Sequence, residues 1–365
     1  MRQKNEWLQA LRALAALAVL FFHMKPHWET SSWLHSFMPL IKNGFMGVDI
    51  FFVLSGYVVY QSADHENFRL KPFLLRRALR IYLGYWPVLA FVAILTFSAI
   101  QLDYSAWPFP DAKKLFLSIA LLSPSLSENW LPTAWTLVYE LYFYVWIAVL
   151  FICHPAWRVK ISMVLFLTLL CWNLGWWLWG RDTVLAGQQP LDFILSGLGM
   201  EFMAGAWLAH WHTRLPAERR AGQAGRLALV GAVLVLLGSA LGDRLFPLSA
   251  NVSLWRAGTF GLVGLGFMCL ALACSDKQWR VPATLVALGD SSYALYLLHP
   301  LLLDASSLPR RMAIAAGSVA TLTAFLLALP VFICIFSWLW FRHIELPLQE
   351  KGRSYLFSPV KKHAA

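Results

Sequence analysis

Apolar runs long enough to cross a lipid bilayer recur along this chain, and no other feature narrows its possible folds so far. Crossing the roughly 30 Å hydrocarbon core takes about 20 largely apolar residues in helical form. Such runs lie near 7–24, 45–61, 82–101, 133–152, 161–179, 191–211, 227–241, 255–273, 284–303 and 313–341. They are continuous rather than alternating, which predicts helices, because membrane β-strands alternate lipid-facing and inward-facing residues. A further apolar stretch at 113–123 is too short to cross and reads as a re-entrant or interfacial helix. The expected fold is an all-α polytopic membrane protein with about ten transmembrane helices and this one short extra helix.

Composition and charge fit that reading. Charged residues make up only 13% of the chain and hydrophobic ones 59%, whereas a soluble domain carries about a quarter charged residues. Arg2 and Lys4 before the run Trp7–Phe22 resemble the start of a signal peptide. Arg12 interrupts the run, however, and no clear small-x-small site follows, so the segment reads as a retained first helix. Lysines and arginines in the loops on the N-terminal side number 20, against 8 on the other side. By the positive-inside rule both termini are then cytoplasmic. The net charge of +11 is dealt out between apolar runs rather than gathered on one face, so nucleic acid is not an expected partner. Cys153, Cys171, Cys269, Cys274 and Cys334 form no CxxC pair, and no metal site is expected.

Charges inside spans are expensive in hydrocarbon, and each is a candidate for function. Arg12 and His23 lie eleven residues apart in the first span, which returns to within about 20° of one helix face and separates them by roughly 16 Å along the axis. Asp49 opens the second span, level with His23 if the two helices are antiparallel neighbours, where a carboxylate would orient the imidazole. Thr136, Glu140 and Tyr144 form a polar stripe at four-residue intervals in the fourth span. Ser292, Tyr296 and His299 share a face of the ninth, although His299 is equally compatible with a local role before Pro300. Glu201 reads as structural as readily as functional. Arg76, Arg77 and Arg80 precede the third span, where arginines either anchor to lipid headgroups or grip phosphates.

These pieces resemble acyltransferase family 3, the bacterial membrane acyltransferases that O-acetylate surface and exported glycans. The resemblance runs from Leu8 to Pro347 through LQALRALAALAVLFFH, GVDIFFVLSGYVV, RRALRIY, WTLVYELYFY, EFMAGAWLA, SSYALYLLHP and the IELP around Glu345. The opening is most similar to the subgroup acting on exopolysaccharides and lipopolysaccharide O-antigens. The resemblance implies one transmembrane acyltransferase domain over 1–350, with 351–365 as a basic cytoplasmic tail, in the bacterial cytoplasmic membrane. It implies that His23 is the catalytic base and that Arg12 supports donor binding or the transition state. Asp49 and Glu140 would shape the site, and Arg76, Arg77 and Arg80 would meet the phosphates of an acetyl-CoA co-substrate. Tyr144, Ser292, Tyr296 and His299 are the candidates for substrate contact, with a glycan or lipid-linked glycan as acceptor. Direct transfer and transfer through an acyl group carried on His23 both remain open. The rival reading is a transporter or flippase of a lipid-linked glycan, in which buried charges line a pathway. A scaffold with no chemistry is the third.

Overall fold

The computed structural model describes residues 5–28, 36, 38–65, 67–101, 108–179, 190–246, 253–307 and 318–357. Every regular element among them is helical: α1 (Glu6–His23), α2 (Gly47–Ala63), α3 (Leu70–Gln101), α4 (Ala112–Ala120), α5 (Trp135–Ile152), α6 (Pro155–Leu178), α7 (Leu198–His212), α8 (Ala217–Arg244), α9 (Ser253–Asp276), α10 (Ala283–Asp290), α11 (Ser292–Ala305), α12 (Val319–Trp340) and α13 (Leu346–Phe357). A π-helical turn, Phe341–Glu345, joins α12 to α13.

Among the described residues, eight helices are long and apolar enough to cross a membrane. The other two expected spans are interrupted. The run at 191–211 becomes a short helix, Pro190–Ile194, and then α7 with 15 residues. Polar side chains from neighbouring helices satisfy the backbone freed between them: Asn173 donates to Leu195 O at 2.8 Å, and Ser253 Oγ accepts from Gly197 N at 3.3 Å. The run at 284–303 is divided at Ser291, whose Oγ donates to Leu288 O at 3.1 Å. Hydropathy records how apolar a stretch is, not whether its helix is continuous, so neither break is visible in it. The beginning of the last expected span, 313–317, lies outside the described residues.

The stretch at 113–123 forms α4, whose nine residues extend only about 14 Å and do not cross a bilayer. Asp111 caps its N-terminus by accepting from Lys114 N at 2.7 Å. The last carbonyls of a helix lack intrahelical partners, although Ser118 O keeps a bond from Leu121 N at 3.3 Å. Three aromatic side chains of α3 satisfy them, with Tyr82, Tyr85 and Trp86 donating to Ala120 O, Ser118 O and Ile119 O at 2.8, 3.0 and 3.0 Å. α3 begins at Leu70 rather than near 82, so the arginine cluster expected in a loop is helical. The basic tail expected from 351 is helical to Phe357, and its remainder lies outside the described residues.

The bundle has an inner and an outer set of helices. About two-thirds of α2 (67%) and α9 (61%) is buried within the protein, against 17% for α6, α8 and the helix running through α12. The outer helices turn side chains such as Leu236 and Val331 outward, as lipid-facing helices must. Inside, small residues let backbones approach. Gly56 of α2 meets the backbone of Phe202, and Gly205 of α7 meets the backbone of Val53, a reciprocal contact with no room for a Cβ on either side.

Overpacking a fixed contact typically costs about 1–3 kcal/mol, and here the obstacle is backbone that cannot rotate away. Gly56→Ala is therefore expected to lower the melting temperature of the detergent-purified protein. Gly258→Ala, where a Cβ meets open space, leaves it unchanged. Equal melting of the two variants would refute this helix contact.

Candidate active site

α1, α2, α3, α5 and α11 surround a partly open cavity of about 80 Å³. Arg12, Arg77, Arg80 and Glu140 contribute its charged wall, and Thr136 and Tyr296 lie in its lining as well. α11 serves as a ruler along it. Ser292, in the first turn, accepts from Arg12 Nε at 3.2 Å. Tyr296, one turn on, shares a hydrogen bond of 3.0 Å with Thr136. His299, a further three residues along, places Nε2 3.4 Å from Nδ1 of His23. α1 runs in the same direction, so the guanidinium and the imidazoles meet α11 at two levels, Arg12 in the cavity wall and the histidine pair beyond Tyr296, outside the lining. His299 is 1% exposed, whereas His23 is exposed at the end of α1.

The polar stripe of α5 faces this cavity throughout. Glu140 Oε1 accepts from Ser55 Oγ at 3.3 Å and from the hydroxyl of Tyr144 one turn later. The guanidinium of Arg77 lies 5.7 Å from the centre of the Tyr144 ring, within reach of a cation–π attraction. Glu345 enters from the π-turn. It is 3% exposed, and one of its oxygens accepts from Gln349 at 2.9 Å. Gly84 of α3 makes room for it and for Tyr293, since a Cβ there would collide with the tyrosine ring and touch the Glu345 carboxyl. Charges of both Glu140 and Glu345 act on Arg12, together with that of Arg80.

Two sequence expectations need correction. Asp49 does not orient His23. It is fully buried and forms a two-pronged ion pair with Arg256 of α9, at 2.7 and 2.8 Å. Arg256 also donates to Phe45 O at 3.3 Å and lies 4.9 Å from the Phe45 ring centre. A permanently charged, fork-shaped guanidinium is a stronger partner for a carboxylate than an imidazole. Glu201 lies beside this pair, on the α7 side. The second correction concerns the arginine cluster, which divides: Arg77 and Arg80 line the cavity, while Arg76 is exposed and does not. At about 100° per residue, Arg80 falls between Arg76 and Arg77 around the helix, and the cavity takes the Arg77 side of that arc while Arg76 lies on its outer edge. Sequence reasoning left four contributors unassigned: Ser55, Tyr293, Arg256 and the placement of Glu345. Arg256 carried the same signal as Arg12, a cation within an apolar run.

A bundle of apolar helices lines a cavity with arginines, a hydrogen-bonded carboxylate and tyrosines, one turn short of an accessible histidine, and this is the candidate site. Comparison with known families identifies its kind. The acyltransferase family 3 profile, described as an acyltransferase domain, matches residues 5–341, and the chain belongs to that family. It is a membrane acyltransferase. Peptidoglycan O-acetyltransferase OatA of Listeria monocytogenes is 26% identical over 331 residues, which cover 80% of this chain and 48% of that protein. Exopolysaccharide production protein ExoZ of Rhizobium meliloti is 26% identical over 318 residues, covering 85% of this chain and 91% of that one. The chain thus spans about half the length of the Listeria protein and nearly all of the Rhizobium protein. No solved structure matches.

If Asp49 neutralises Arg256, removing it leaves a buried unpaired cation, a change that costs about 3–5 kcal/mol. Asp49→Ala is expected to lower the yield and melting temperature of the purified protein, and the double variant Asp49→Leu, Arg256→Leu to recover much of both. Had Asp49 oriented His23, the single variant would keep its stability and lose turnover alone.

Proposed function

We propose that this chain moves an acetyl group from acetyl-CoA, bound from the cytoplasm, to a sugar hydroxyl of an exported or surface glycan on the opposite side of the bacterial cytoplasmic membrane. The observation that carries the proposal is the two-level contact of α1 with α11: guanidiniums in the cavity at the level of Arg12, and the His23–His299 pair one turn beyond Tyr296. The excess of loop lysines and arginines on the N-terminal side supports a cytoplasmic Glu6 end of α1. Arg12, Arg77 and Arg80 suit the phosphates and the polar arm of the donor, because guanidinium forks match phosphate geometry. The two contacts lie seven residues apart on α11, roughly 10 Å by helical rise, an interval that the flexible arm carrying the thioester can span. The names of the two relatives, which refer to peptidoglycan and to an exopolysaccharide, support a glycan as the acceptor.

The chemistry asks little more than a base and somewhere for negative charge to develop. The lone pair of His23 takes the proton of the sugar hydroxyl as its oxygen attacks the thioester carbonyl. A C–O bond forms and the C–S bond breaks. The departing thiolate recovers the proton from His23, so the ring ends neutral and coenzyme A leaves as the thiol. Glu140 and Tyr144, joined by their hydrogen bond, hold the arginine wall in register for the donor.

Base-labile acetyl on the surface polysaccharide of the host strain tests the proposal. His23→Ala is expected to lower it by roughly 10²–10⁴-fold in rate, the usual contribution of a general base, and Arg12→Ala to lower it as well. Normal acetylation with both variants present at wild-type levels would overturn the assignment. The donor site is checked separately by coenzyme A binding to detergent-purified protein. Arg77→Ala and Arg80→Ala weaken it, and Arg76→Ala weakens it less. Equal effects of all three would place the donor elsewhere.

A further inference from the structure

The two histidines beyond the cavity have partners that assign their protons. Nδ1 of His23 lies 2.9 Å from Val19 O, and Nδ1 of His299 lies 3.2 Å from Leu295 O. A carbonyl oxygen only accepts, so each Nδ1 carries a hydrogen and the lone pair of each neutral ring belongs to Nε2. Nε2 of His299 stands 3.4 Å from Nδ1 of His23, with ring centroids 4.9 Å apart. The lone pair of a buried histidine therefore faces the N–H of an exposed one. The opposite tautomers would set ring lone pairs against two carbonyl oxygens at these distances.

We infer that His299 is a positioning residue for His23, holding it with the proton on Nδ1 and the basic lone pair on Nε2. The inference rests on the proposed role of His23 as the base, and it adds which nitrogen acts and what keeps it so. In hydrolytic triads a carboxylate receives the N–H of the working histidine. Here the nearest candidate from the sequence, Asp49, is committed to Arg256. A neutral imidazole and the Val19 carbonyl receive that N–H instead. When Nε2 of His23 takes the hydroxyl proton, the ring becomes an imidazolium. Its Nδ1–H is then a stronger donor toward both acceptors, and the lone pair of His299 helps carry the charge. The proton passes from the hydroxyl to Nε2 and on to the departing thiolate, and His299 neither gains nor loses one.

α11 is built to hold this ring still. His299 is 1% exposed, tied to its own helix through Leu295 O and set 5.9 Å from the ring of Tyr296. Because Tyr296 also lines the cavity, one helical turn links the donor space to the residue that orients the base.

The test uses radiolabelled acetyl-CoA supplied to permeabilised cells of the host strain, with rates normalised to the amount of protein. His299→Leu removes the acceptor. It is expected to lower kcat by at least about tenfold, while the KM for acetyl-CoA stays within about twofold, a smaller loss than the roughly 10²–10⁴-fold for deleting the base itself. His299→Gln, whose amide oxygen can accept at nearly the same place, is expected to restore most of the rate. An unchanged kcat in His299→Leu overturns the inference, and so does a His299→Gln variant no better than His299→Leu. Nitrogen chemical shifts of histidine-labelled wild-type protein give a reading that survives any misfolding of the variants. Finding the His23 proton on Nε2 would also overturn it. If His23→Ala retains its rate in the same assay, the failure belongs to the proposed base and not to its partner.

Discussion

Hydrocarbon offers no water to a buried charge, so each guanidinium inside this bundle has to be met by another part of the protein. Arg256 is met by Asp49, and that pair fastens α9 to α2, the two most buried of the eight long helices. Arg12 is met differently. Its Nε donates to a serine hydroxyl of α11, while Glu140 and Glu345 act on it from two further elements. One arginine is thereby closed off and the other is left facing a cavity. The Asp49–Arg256 pair, with Glu201 beside it, serves packing. Around the cavity, Arg12, Arg77 and Arg80 face Glu140, with Glu345 behind, so positive charge is in surplus where a phosphate-bearing donor would lie. The same physical requirement, answered in two ways, separates the framework of the protein from its site.

Helix irregularities fall where the site needs them. The division at Ser291 begins α11 beside Arg12, so that Ser292 reaches the guanidinium in the first turn of the new helix. The π-turn after Trp340 shifts the register of a long outer helix and buries Glu345 against α3. Irregular backbone is tolerated at membrane depth only when the protein itself satisfies the freed groups, and π-turns inside long helices frequently mark functional sites. The glycine at position 84 completes the arrangement by giving the carboxylate and Tyr293 room beside α3.

Much of this was legible because hydrophobicity and charge are local properties of a sequence. Apolar runs announced helices, and polar residues inside them announced the cavity wall, as with Arg12, Glu140 and Tyr144. Partnership was not legible. Asp49 looked toward His23 only if its helix faced α1 alone, and the sequence carries no sign that α9 inserts a guanidinium 207 positions away. Arg76 and Arg77 are neighbours in the chain and diverge in space, since helical rotation separates what adjacency suggests belongs together. Glu345 sits in a short motif whose meaning depends on a change of helical register that no residue pattern spells out. Continuity failed for the same reason at Ser196–Gly197 and Ser291, where the satisfying groups come from other helices or from a single hydroxyl.

The pairing of α1 with α11 carries the functional consequence furthest. Both helices run the same way, and each contributes a polar residue at two matching levels: Arg12 with Ser292, and His23 with His299. Two parallel helices touching through a hydrogen bond at each level keep the interval between those levels fixed. Neither member of the lower pair can shift along the membrane normal without carrying the upper pair with it. In the proposed reaction, a donor held at the guanidinium level would present its far end at a set distance beyond, with the accessible histidine at the end of that interval rather than beside the arginines. Under the proposed function, reactants arriving from opposite faces need such a fixed offset, because each has to reach the same atom while staying on its own side. The doubled contact between two helices supplies it without any element that moves.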